Sequence, residues 1–307
     1  MTESQSFRRV TYNLPFGQMA AIAMGDPERP VDVVFLHATG FNALTYRTIL
    51  APLAERLHVV AVDMRGHGLT KLPAKVFGYA GWARHRDDVI ALIDKGLGAP
   101  VTLAGHSMGG CVSALAAGKR PDMVRGLALL DPVIMPPRFY AMMRTPGAPL
   151  LSQQMFAIAR KAAKRRDEFV SRAEMATLLT ERGIFKSFTP EMLADYCQDG
   201  AVDDPFGGVK LACRPAFEAR TFAAQRHDPW AALARFGGPL VVLRAQHGST
   251  MSNVAAERLK RERPDAMIAT IEGASHALPM ERPDRARAAI EAACVRASKG
   301  VVHRDLV

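Results

Sequence analysis

Cysteine is scarce in this sequence of 307 residues, and its spacing excludes two classes of protein. The four cysteines, Cys111, Cys197, Cys213 and Cys294, lie far apart and form no CxxC pair. A zinc ribbon is built on such pairs, and a disulfide-rich secreted scaffold packs its cysteines densely. We therefore expect a protein of the reducing cytoplasm.

Long apolar runs are absent as well. No window of the sequence approaches the roughly 18 uninterrupted apolar residues that a membrane-spanning helix requires. The first ten residues, MTESQSFRRV, are polar and lack the apolar core of a signal peptide. We therefore expect no membrane partner.

Positive charge is not concentrated, although the formal net charge is +10, from 40 Lys and Arg against 30 Asp and Glu. The densest basic stretch, KAAKRR at 161–166, is followed at once by Asp167 and Glu168, and Phe169 is the only aromatic residue close to it. A nucleic-acid site requires clustered basic charge with stacking aromatic side chains among it. We interpret the stretch as a solvated helix face and expect no nucleic-acid partner.

The composition and its order along the chain indicate a globular α/β protein. Apolar residues make up 49% and charged residues 23% of the sequence, which excludes global disorder. From Val31 onward, short apolar runs alternate with helix-length stretches, a pattern typical of a parallel sheet. The predicted strands are VDVVFLH (31–37), HVVAVD (58–63), PVTLAG (100–105), VRGLALLD (124–131), PLVVLRA (239–245) and AMIATIEG (266–273). The predicted helices are 43–57, 79–97, 108–119, 252–262 and 282–298.

Two segments complete the predicted architecture, a mostly parallel, doubly wound sheet with an inserted helical cap. Residues 7–25 indicate a leading antiparallel hairpin that turns at 15–17. Between Asp131 and Asp228 no strand-like run is evident, and helical periodicity is interrupted by several prolines. We therefore predict a core domain of residues 1–137 and 227–307 and a helical cap domain of residues 138–226.

The chemistry begins in the turn at 105–109, which reads Gly-His-Ser-Met-Gly between a strand and a helix. Gly-x-Ser-x-Gly in this setting is the nucleophile elbow, in which a tight turn presents a serine above the sheet. Larger residues in place of the glycines would clash with neighbouring backbone. The alternative is a Gly/Ser turn without chemistry, but the strand-to-helix context favours Ser107 as a nucleophile.

Four motifs together give the sequence its resemblance to the α/β-hydrolase superfamily. They are HATGFN (37–42), DMRGHG (63–68), GHSMGG (105–110) and GASHALPMERPD (273–284). The resemblance covers nearly the whole chain outside the insertion. The first motif departs from the usual His-Gly, since position 38 is Ala, and is similar to a subgroup that reads His-Ala-x-Gly-Phe.

The resemblance implies a base and an oxyanion hole to accompany Ser107. The base is His276, which follows the last predicted strand, as the chain order Ser, acid, His requires; the alternative is a capping or core histidine. The oxyanion hole consists of the backbone amides of Met108 and Thr39, with Phe41 as the donor if the loop is shifted.

The acid of the site is less evident than the nucleophile. The loop after the penultimate strand, where most of the superfamily carries it, has no carboxylate between Leu243 and Asn253. Asp131 ends the strand after the nucleophile helix, and some branches of the superfamily place the acid there. The alternative is that Asp131 caps a turn. The absence of a carboxylate from the loop after the penultimate strand favours Asp131 as the acid.

Several aromatic residues and histidines are candidates for contact with a substrate. These candidates are Phe41, His37, His106, Phe139 and Tyr140. For the two histidines, the resemblance instead implies a structural hydrogen-bonding role. The cap also carries Met142, Met143, Met155, Phe156, Phe185 and Phe188, and we expect most of these to hold the cap together.

The predicted function is a serine hydrolase that cleaves a carboxylic ester or related acyl compound through an acyl-enzyme. A serine at position 107 argues against haloalkane dehalogenases and epoxide hydrolases, which use an aspartate nucleophile. A carbon–carbon bond hydrolase, a cofactor-free haloperoxidase-like side activity and a non-catalytic ligand-binding protein remain as alternatives. We expect a small-molecule substrate, no cofactor and no metal, and a homodimer stays open.

Overall fold

A computed structural model describes residues 7–148, 152, 154 and 156–304 of the chain. The predicted cap residue Met155 lies outside the described residues. The strands, in chain order, are β1 (Arg8–Leu14), β2 (Gly17–Met24), β3 (Val33–Leu36), β4 (Val59–Val62), β5 (Val101–His106), β6 (Val124–Leu130), β7 (Glu168–Phe169), β8 (Ala201–Asp203), β9 (Val209–Leu211), β10 (Leu240–Ala245) and β11 (Met267–Ile271).

Within the described residues, eight of these strands form the main sheet, in the order β1-β2-β4-β3-β5-β6-β10-β11. β1 and β2 are antiparallel, and β2 is antiparallel to β4. The other six strands of this sheet, β4, β3, β5, β6, β10 and β11, are parallel to one another. All six predicted strands and the leading hairpin are confirmed. The six strands are recognisable because each is a short, largely apolar run bounded by turn residues. The predicted mostly parallel α/β sheet is therefore the fold of this chain.

Helices cover both faces of the sheet. The α-helices of the described residues are α1 (Arg47–Leu50), α2 (Ala83–Ala91), α3 (Met108–Lys119), α4 (Pro137–Met143), α5 (Ala157–Ala163), α6 (Arg172–Leu179), α7 (Pro190–Gly200), α8 (Pro215–Ala223), α9 (Pro229–Arg235), α10 (Asn253–Glu262), α11 (Leu278–Glu281) and α12 (Pro283–Arg304). Shorter helical turns are Leu44–Tyr46, Ala51–Glu55, Leu92–Leu97, Pro121–Met123 and Gly183–Ser187. The predicted helix at 43–57 is divided into three short pieces, and the other predicted helices coincide with α2, α3, α10 and α12.

Two apolar cores lie on opposite sides of the sheet. In β3, Val34 and Leu36 enter one core, whereas Val33 and Phe35 enter the other. This division follows from the alternation of side chains along a strand. Because both faces are covered, the strand is continuously apolar, as is typical of a parallel sheet.

The interval between β6 and β10 contains strands that the sequence analysis did not predict. β7, β9 and β8 form a small antiparallel sheet, so the expectation of an interval without strands is wrong. The missed signal is the turn Asp204–Gly208, in which Gly207 and Gly208 both have positive φ (106° and 75°). Strands of two or three residues are too short to show a recognisable period. The remainder of the described interval is mainly helical, and the domain boundaries stay a prediction.

The long helices of the described part are not membrane spans. None of them combines the length and the apolar character that crossing a bilayer requires.

Candidate active site

The site lies where the order of strands reverses. After β3 the chain adds β4 on one side, and it then returns to add β5 on the other side of β3. The loops after β3 and β5 therefore diverge at the carboxyl edge of the sheet and leave a crevice between them, where open α/β sheets bind ligands. Residues 37–42 and Ser107 occupy these two loops.

Ser107 occupies a strained turn between β5 and α3. Its φ of 56° and ψ of −116° lie outside the regions that a residue with a side chain ordinarily adopts. A Cβ on Gly109 would lie 2.1 Å from the Leu36 carbonyl oxygen, and a Cβ on Gly105 would lie 2.4 Å from the Gly109 carbonyl carbon. The two glycines thus let α3 start directly against β3 and β5, which leaves the Ser107 side chain at the sheet edge.

His276 contacts both Ser107 and Asp131. Its Nε2 lies 3.0 Å from Ser107 Oγ, and its Nδ1 lies 2.6 Å from Asp131 Oδ2. An ionised carboxylate only accepts hydrogen bonds, so Nδ1 carries the proton and donates a hydrogen bond to Asp131. Nε2 of the neutral ring then accepts the hydrogen bond of the Ser107 hydroxyl. This arrangement allows His276 to remove the serine proton.

The Asp131 carboxylate is fully buried and accepts several hydrogen bonds in addition to that of His276. The Ala245 amide (2.8 Å) and the Ser249 hydroxyl (2.5 Å) donate to Oδ1, and the Thr250 amide (3.3 Å) donates to Oδ2. Burial acts to raise the pKa of Asp131, but the interactions with His276, Ser249 and Ala245 outweigh burial and lower that pKa. Asp131 is therefore ionised at neutral pH.

The Ser249 and Thr250 contacts were not predicted from the sequence. The loop after β10 has no carboxylate between Leu243 and Asn253. Instead, its Ser249 hydroxyl and Thr250 amide donate to the carboxylate of Asp131, which follows the neighbouring strand β6. The signal that was available is the Gly248-Ser249-Thr250 turn directly beside the end of β6, which is the neighbour of β10 in the sheet.

Two backbone amides near Ser107 are available as oxyanion donors. Among the described residues, neither the Thr39 amide nor the Met108 amide has a hydrogen-bond partner, and the Thr39 hydroxyl lies 3.3 Å from Met108 Sδ. The amide of Phe41, in contrast, donates to the Ala38 carbonyl at 3.1 Å, and the amide of Gly40 donates to His67 Nε2 at 3.0 Å. The geometry thus favours Thr39 over Phe41.

His37 and His106 are fully buried, and protein groups occupy both nitrogens of each ring. His37 Nδ1 donates to the Ala38 carbonyl and Nε2 accepts from the Met64 amide. His106 contacts Tyr46 and the His276 carbonyl. Burial lowers the pKa of both histidines, that of His106 to about 3, so both rings are neutral. With no free ring nitrogen, these histidines fit the structural role better than substrate contact.

The aromatic candidates occupy different environments. Phe41 packs against three rings of the interval, at centroid distances of 6.3 Å to Phe185, 5.5 Å to Phe188 and 5.7 Å to Tyr196. Its ring also lies 6.5 Å from that of His106, so this cluster adjoins the turn at Ser107. Phe185 and Phe188 are half-buried, which leaves part of each ring accessible to a ligand.

Phe139 and Tyr140 lie on α4, which follows the Asp131 loop. Tyr140 is buried, and its hydroxyl donates to the Val133 carbonyl and accepts from the Met135 amide. Phe139 is half-buried and packs on Phe156 at 5.9 Å. Tyr140 thus stabilises the loop after Asp131, whereas Phe139 retains accessible ring surface. No group of three or more ligand-type side chains with the geometry of a metal site occurs within the described residues.

Comparison with known proteins identifies the family of the chain. The profile of the Alpha/beta hydrolase family matches residues 33–289. The chain is 26% identical over 246 residues to the 2-(acetamidomethylene)succinate hydrolase of Mesorhizobium japonicum, which covers 80% of this chain and 81% of that protein.

Two solved structures share the fold. The crystal structure of E-2-(acetamidomethylene)succinate hydrolase superposes with a TM-score of 0.75 at 22% identity, over 94% of this chain and 99% of that one. The thioesterase domain from the curacin biosynthetic pathway gives a TM-score of 0.76 at 19% identity, over 93% and 99%. At these identities, the likeness concerns the fold alone.

Proposed function

The chain belongs to the α/β-hydrolase family, and from this premise we propose that it is a serine hydrolase that cleaves a carboxylic ester or related acyl compound. The observation that carries the proposal is the contact of one imidazole with both Ser107 Oγ (3.0 Å) and Asp131 Oδ2 (2.6 Å). A nucleophile, a base and an orienting acid within hydrogen-bond reach are what acyl transfer through serine requires.

In the proposed reaction, Ser107 Oγ attacks the carbonyl carbon of the substrate while its proton passes to His276 Nε2. The oxyanion of the tetrahedral intermediate accepts hydrogen bonds from the Thr39 and Met108 amides. Collapse of this intermediate breaks the bond to the leaving group, which takes the proton from His276. Water then attacks the acyl-enzyme in the same way and releases the acid. Asp131 stays ionised and stabilises the imidazolium that forms twice in the cycle.

We also propose that residues 138–226 act as a cap that shapes the acyl pocket. The half-buried rings of Phe185 and Phe188 against Phe41 support this role, because they bring an apolar surface to the edge of the site. A series of p-nitrophenyl esters of increasing chain length measures the size of the pocket. If the cap sets that size, Phe188→Ala shifts the preferred length upward, and an unchanged preference would exclude Phe188 from the pocket.

The mechanism is tested with a fluorophosphonate probe and a p-nitrophenyl ester. We expect wild-type protein to be labelled and to turn over the ester, and folded Ser107→Ala to do neither. Ser113→Ala is a matched control, because Ser113 is a buried serine of α3, the helix that starts directly after Ser107. Its hydroxyl donates to the Gly109 carbonyl. Ester turnover by folded Ser107→Ala would exclude the mechanism, and a wild-type protein that is inert to both reagents would favour a ligand-binding role.

A more specific candidate substrate is an acyl compound that carries a carboxylate. The relative from Mesorhizobium japonicum is named for a succinate derivative. In this chain, residues 132–166 begin directly after Asp131 and contain seven basic residues and no acidic residue. Three of the seven, Arg144, Arg165 and Arg166, form ion pairs with carboxylates from other segments, so the attraction rests on the other four. A basic segment beside the site would attract an anionic substrate, and the attraction would weaken with salt.

Matched esters distinguish this candidate from a neutral acyl preference. We expect a higher kcat/KM for the p-nitrophenyl monoester of succinic acid than for that of butyric acid, with a difference that shrinks as ionic strength rises. Equal kcat/KM values at low salt would leave a neutral ester as the substrate class. A carbon–carbon bond hydrolase uses the same triad, and it would hydrolyse neither ester at a rate comparable to that for a β-diketone.

A further inference from the structure

Three hydrogen bonds connect the loop that carries the oxyanion donor to the loop that carries the base. The Ala38 amide lies 3.2 Å from Tyr46 Oη, Tyr46 Oη lies 2.7 Å from His106 Nδ1, and His106 Nε2 lies 2.8 Å from the His276 carbonyl oxygen. We call this series the Tyr46–His106 link. Both of its side chains are fully buried.

The direction of every hydrogen bond in the link is determined by its ends. A carbonyl oxygen only accepts, so His106 Nε2 carries a proton and donates a hydrogen bond to the His276 carbonyl. Burial keeps the His106 ring neutral, because it lowers the pKa of this histidine to about 3. His106 Nδ1 is therefore without a proton and accepts from the Tyr46 hydroxyl. The Tyr46 oxygen in turn accepts from the Ala38 amide, so each donor in the series meets one acceptor.

The position of the link matters because its two ends adjoin the reacting groups. Ala38 precedes Thr39, whose amide is the proposed oxyanion donor. The His276 carbonyl belongs to the same residue as the imidazole that contacts Ser107. A shift at either end of the link would therefore change the distance between the oxyanion donor and the base.

The sheet itself does not set that distance. The Ala38 loop follows β3, a neighbour of β5, but the His276 loop follows β11, which is separated from β5 by β6 and β10. The His276 carbonyl is also 170 residues away from His106 in the chain. Tyr46, in contrast, is anchored, since its ring packs on Phe35 of β3 at a centroid distance of 4.7 Å. The link thus connects the loop that carries His276 to strand β3 at the centre of the sheet.

We infer that Tyr46 and His106 form a positioning pair that holds the Thr39 amide and the His276 imidazole at a fixed separation for acyl transfer. This inference rests on the proposed serine hydrolase function and deepens it. Neither residue touches the reacting atoms. Their contribution is to keep two loops from different parts of the sheet in one arrangement, which the oxyanion and the proton transfer both need.

The main test is Tyr46→Phe, which keeps the ring on Phe35 and removes the hydroxyl from the link. We expect kcat for a p-nitrophenyl ester to fall by roughly 10- to 100-fold with KM little changed, because misplacement of a catalytic group by about 1 Å costs on the order of 100-fold in rate. The rate of fluorophosphonate labelling should fall in parallel, since the adduct uses the same oxyanion donors.

Two substitutions of His106 separate the halves of the link. His106→Gln places an amide near the position of Nε2 and keeps a donor for the His276 carbonyl, whereas His106→Asn places it near Nδ1 and keeps a partner for Tyr46. We expect a lower kcat for the Asn variant than for the Gln variant, because the Asn variant releases the base loop. If the link acts as a unit, Tyr46→Phe combined with His106→Gln should cost less than the product of the two separate losses.

Tyr79→Phe is the control for the loss of a buried tyrosine hydroxyl. Tyr79 is as buried as Tyr46 but contacts Phe217 and His85 instead of the link. We expect this variant to retain wild-type kcat. A kcat of Tyr46→Phe equal to that of wild type, or a loss equal to that of Tyr79→Phe, would overturn the inference. If wild type hydrolyses the ester and Ser107→Ala does not, this result would leave the hydrolase mechanism intact.

The ¹⁵N NMR resonances of the histidine rings test the inference independently of turnover. In wild type, ¹⁵N NMR should assign the His106 proton to Nε2 and report a hydrogen-bonded Nδ1. In folded Tyr46→Phe, the His106 Nδ1 resonance should move to the position of a free imine nitrogen, and the ring resonances of His276 should shift as well. Unchanged His276 resonances in Tyr46→Phe would contradict the inference, even if the protein proved to have no esterase activity.

Discussion

At the scale of single residues, Asp131, the proposed acid, has a backbone conformation that few residues adopt. Its φ is 41°, and its amide donates to the Leu243 carbonyl while its carboxylate receives donors from β10 and the following loop. This turn directs the carboxylate from the end of β6 toward His276. Asparagine tolerates positive φ, so Asp131→Asn removes the charge with little change of shape.

We therefore expect Asp131→Asn to lower kcat by roughly four orders of magnitude with little effect on KM, as in comparable triads. Without the carboxylate, the tautomer of His276 is not fixed and the imidazolium lacks a negative partner. Ser249→Ala removes one neutral donor to Asp131 and serves as the control, with a much smaller loss of kcat. An Asn variant that keeps most of its activity would show that another group is the acid.

Gly109 is a second residue whose identity has a direct physical cause. A Cβ at this position would lie 2.1 Å from the Leu36 carbonyl oxygen and 2.7 Å from the His37 carbonyl oxygen, both backbone atoms that cannot move independently. Gly109→Ala should therefore lower the free energy of unfolding by about 3 kcal/mol, at the upper end of overpacking effects. Urea denaturation measures the change. Gly237→Ala is the control, because a Cβ there meets no atom within 4 Å, and equal losses for both variants would refute the packing argument.

At the scale of elements, α7 is attached to the core by the ion pairs of two arginines. Arg47 Nε lies 2.9 Å from Asp195 Oδ2 and Arg47 Nη2 lies 2.6 Å from Glu191 Oε1, while Arg9 binds both carboxylate oxygens of Asp199 at 2.8 Å. The Arg47 and Asp195 side chains are only 11% and 14% exposed, so water screens this pair weakly. These contacts bring α7, and with it Tyr196, against the Phe41 loop.

Arg47→Met should release α7 from the core, because it leaves the Asp195 and Glu191 carboxylates without their partner. We expect a loss of about 1–2 kcal/mol in the free energy of unfolding, between the values for exposed and buried pairs. Hydrogen exchange should accelerate within Pro190–Gly200 before the rest of the chain. Arg120→Met removes a more exposed pair with Asp122 and is expected to change neither quantity. Uniform exchange rates in Arg47→Met would mean that apolar packing alone holds α7.

At the scale of the whole molecule, buried histidines make stability depend on pH. Burial lowers the pKa of each of five histidines, from the ordinary 6.5 to about 4 for His67 and to about 3 for His106 and His227. The others are His37 and His85, whose pKa values are lowered well below 6.5. Between pH 6.5 and 4 the unfolded chain binds protons that the folded chain does not, so stability is present above pH 6.5 and falls as the pH decreases.

Each such proton contributes a slope of roughly 1.4 kcal/mol per pH unit. Acids with raised pKa act in the opposite direction: burial raises the pKa of Asp63 to about 7, and it also raises the pKa of Asp88, Asp167, Asp195 and Glu218. We expect the five histidines to outweigh these acids. We therefore expect the free energy of unfolding, measured in urea, to be lower at pH 5 than at pH 6 by more than the roughly 1.4 kcal/mol that one proton contributes. A slope equal to or below that of one proton would mean that most of these rings find partners that keep them charged in the folded chain.

Much of the architecture could be predicted from the sequence, because it depends on neighbouring residues. The continuously apolar runs of β3 and β4 require cover on both faces, and the glycines at 105 and 109 require a sharp turn between a strand and a helix. The short strands β7, β8 and β9 could not be predicted, because two or three residues carry no period. Their pairing with one another stabilises them, and β7 pairs with a strand that lies far from it in the chain.

By itself, the sequence determined the sheet, the elbow at Ser107 and the candidates His276 and Asp131, since each is a feature of one strand end. Only the tertiary structure decided which groups meet. It brings His276 to Asp131 across 145 residues, supplies Ser249 from a loop that has no carboxylate of its own before Asn253, and occupies both ring nitrogens of His37 and His106. The physical reason is that a hydrogen bond depends on distance and direction in space, and parallel strands bring together ends that the chain keeps far apart.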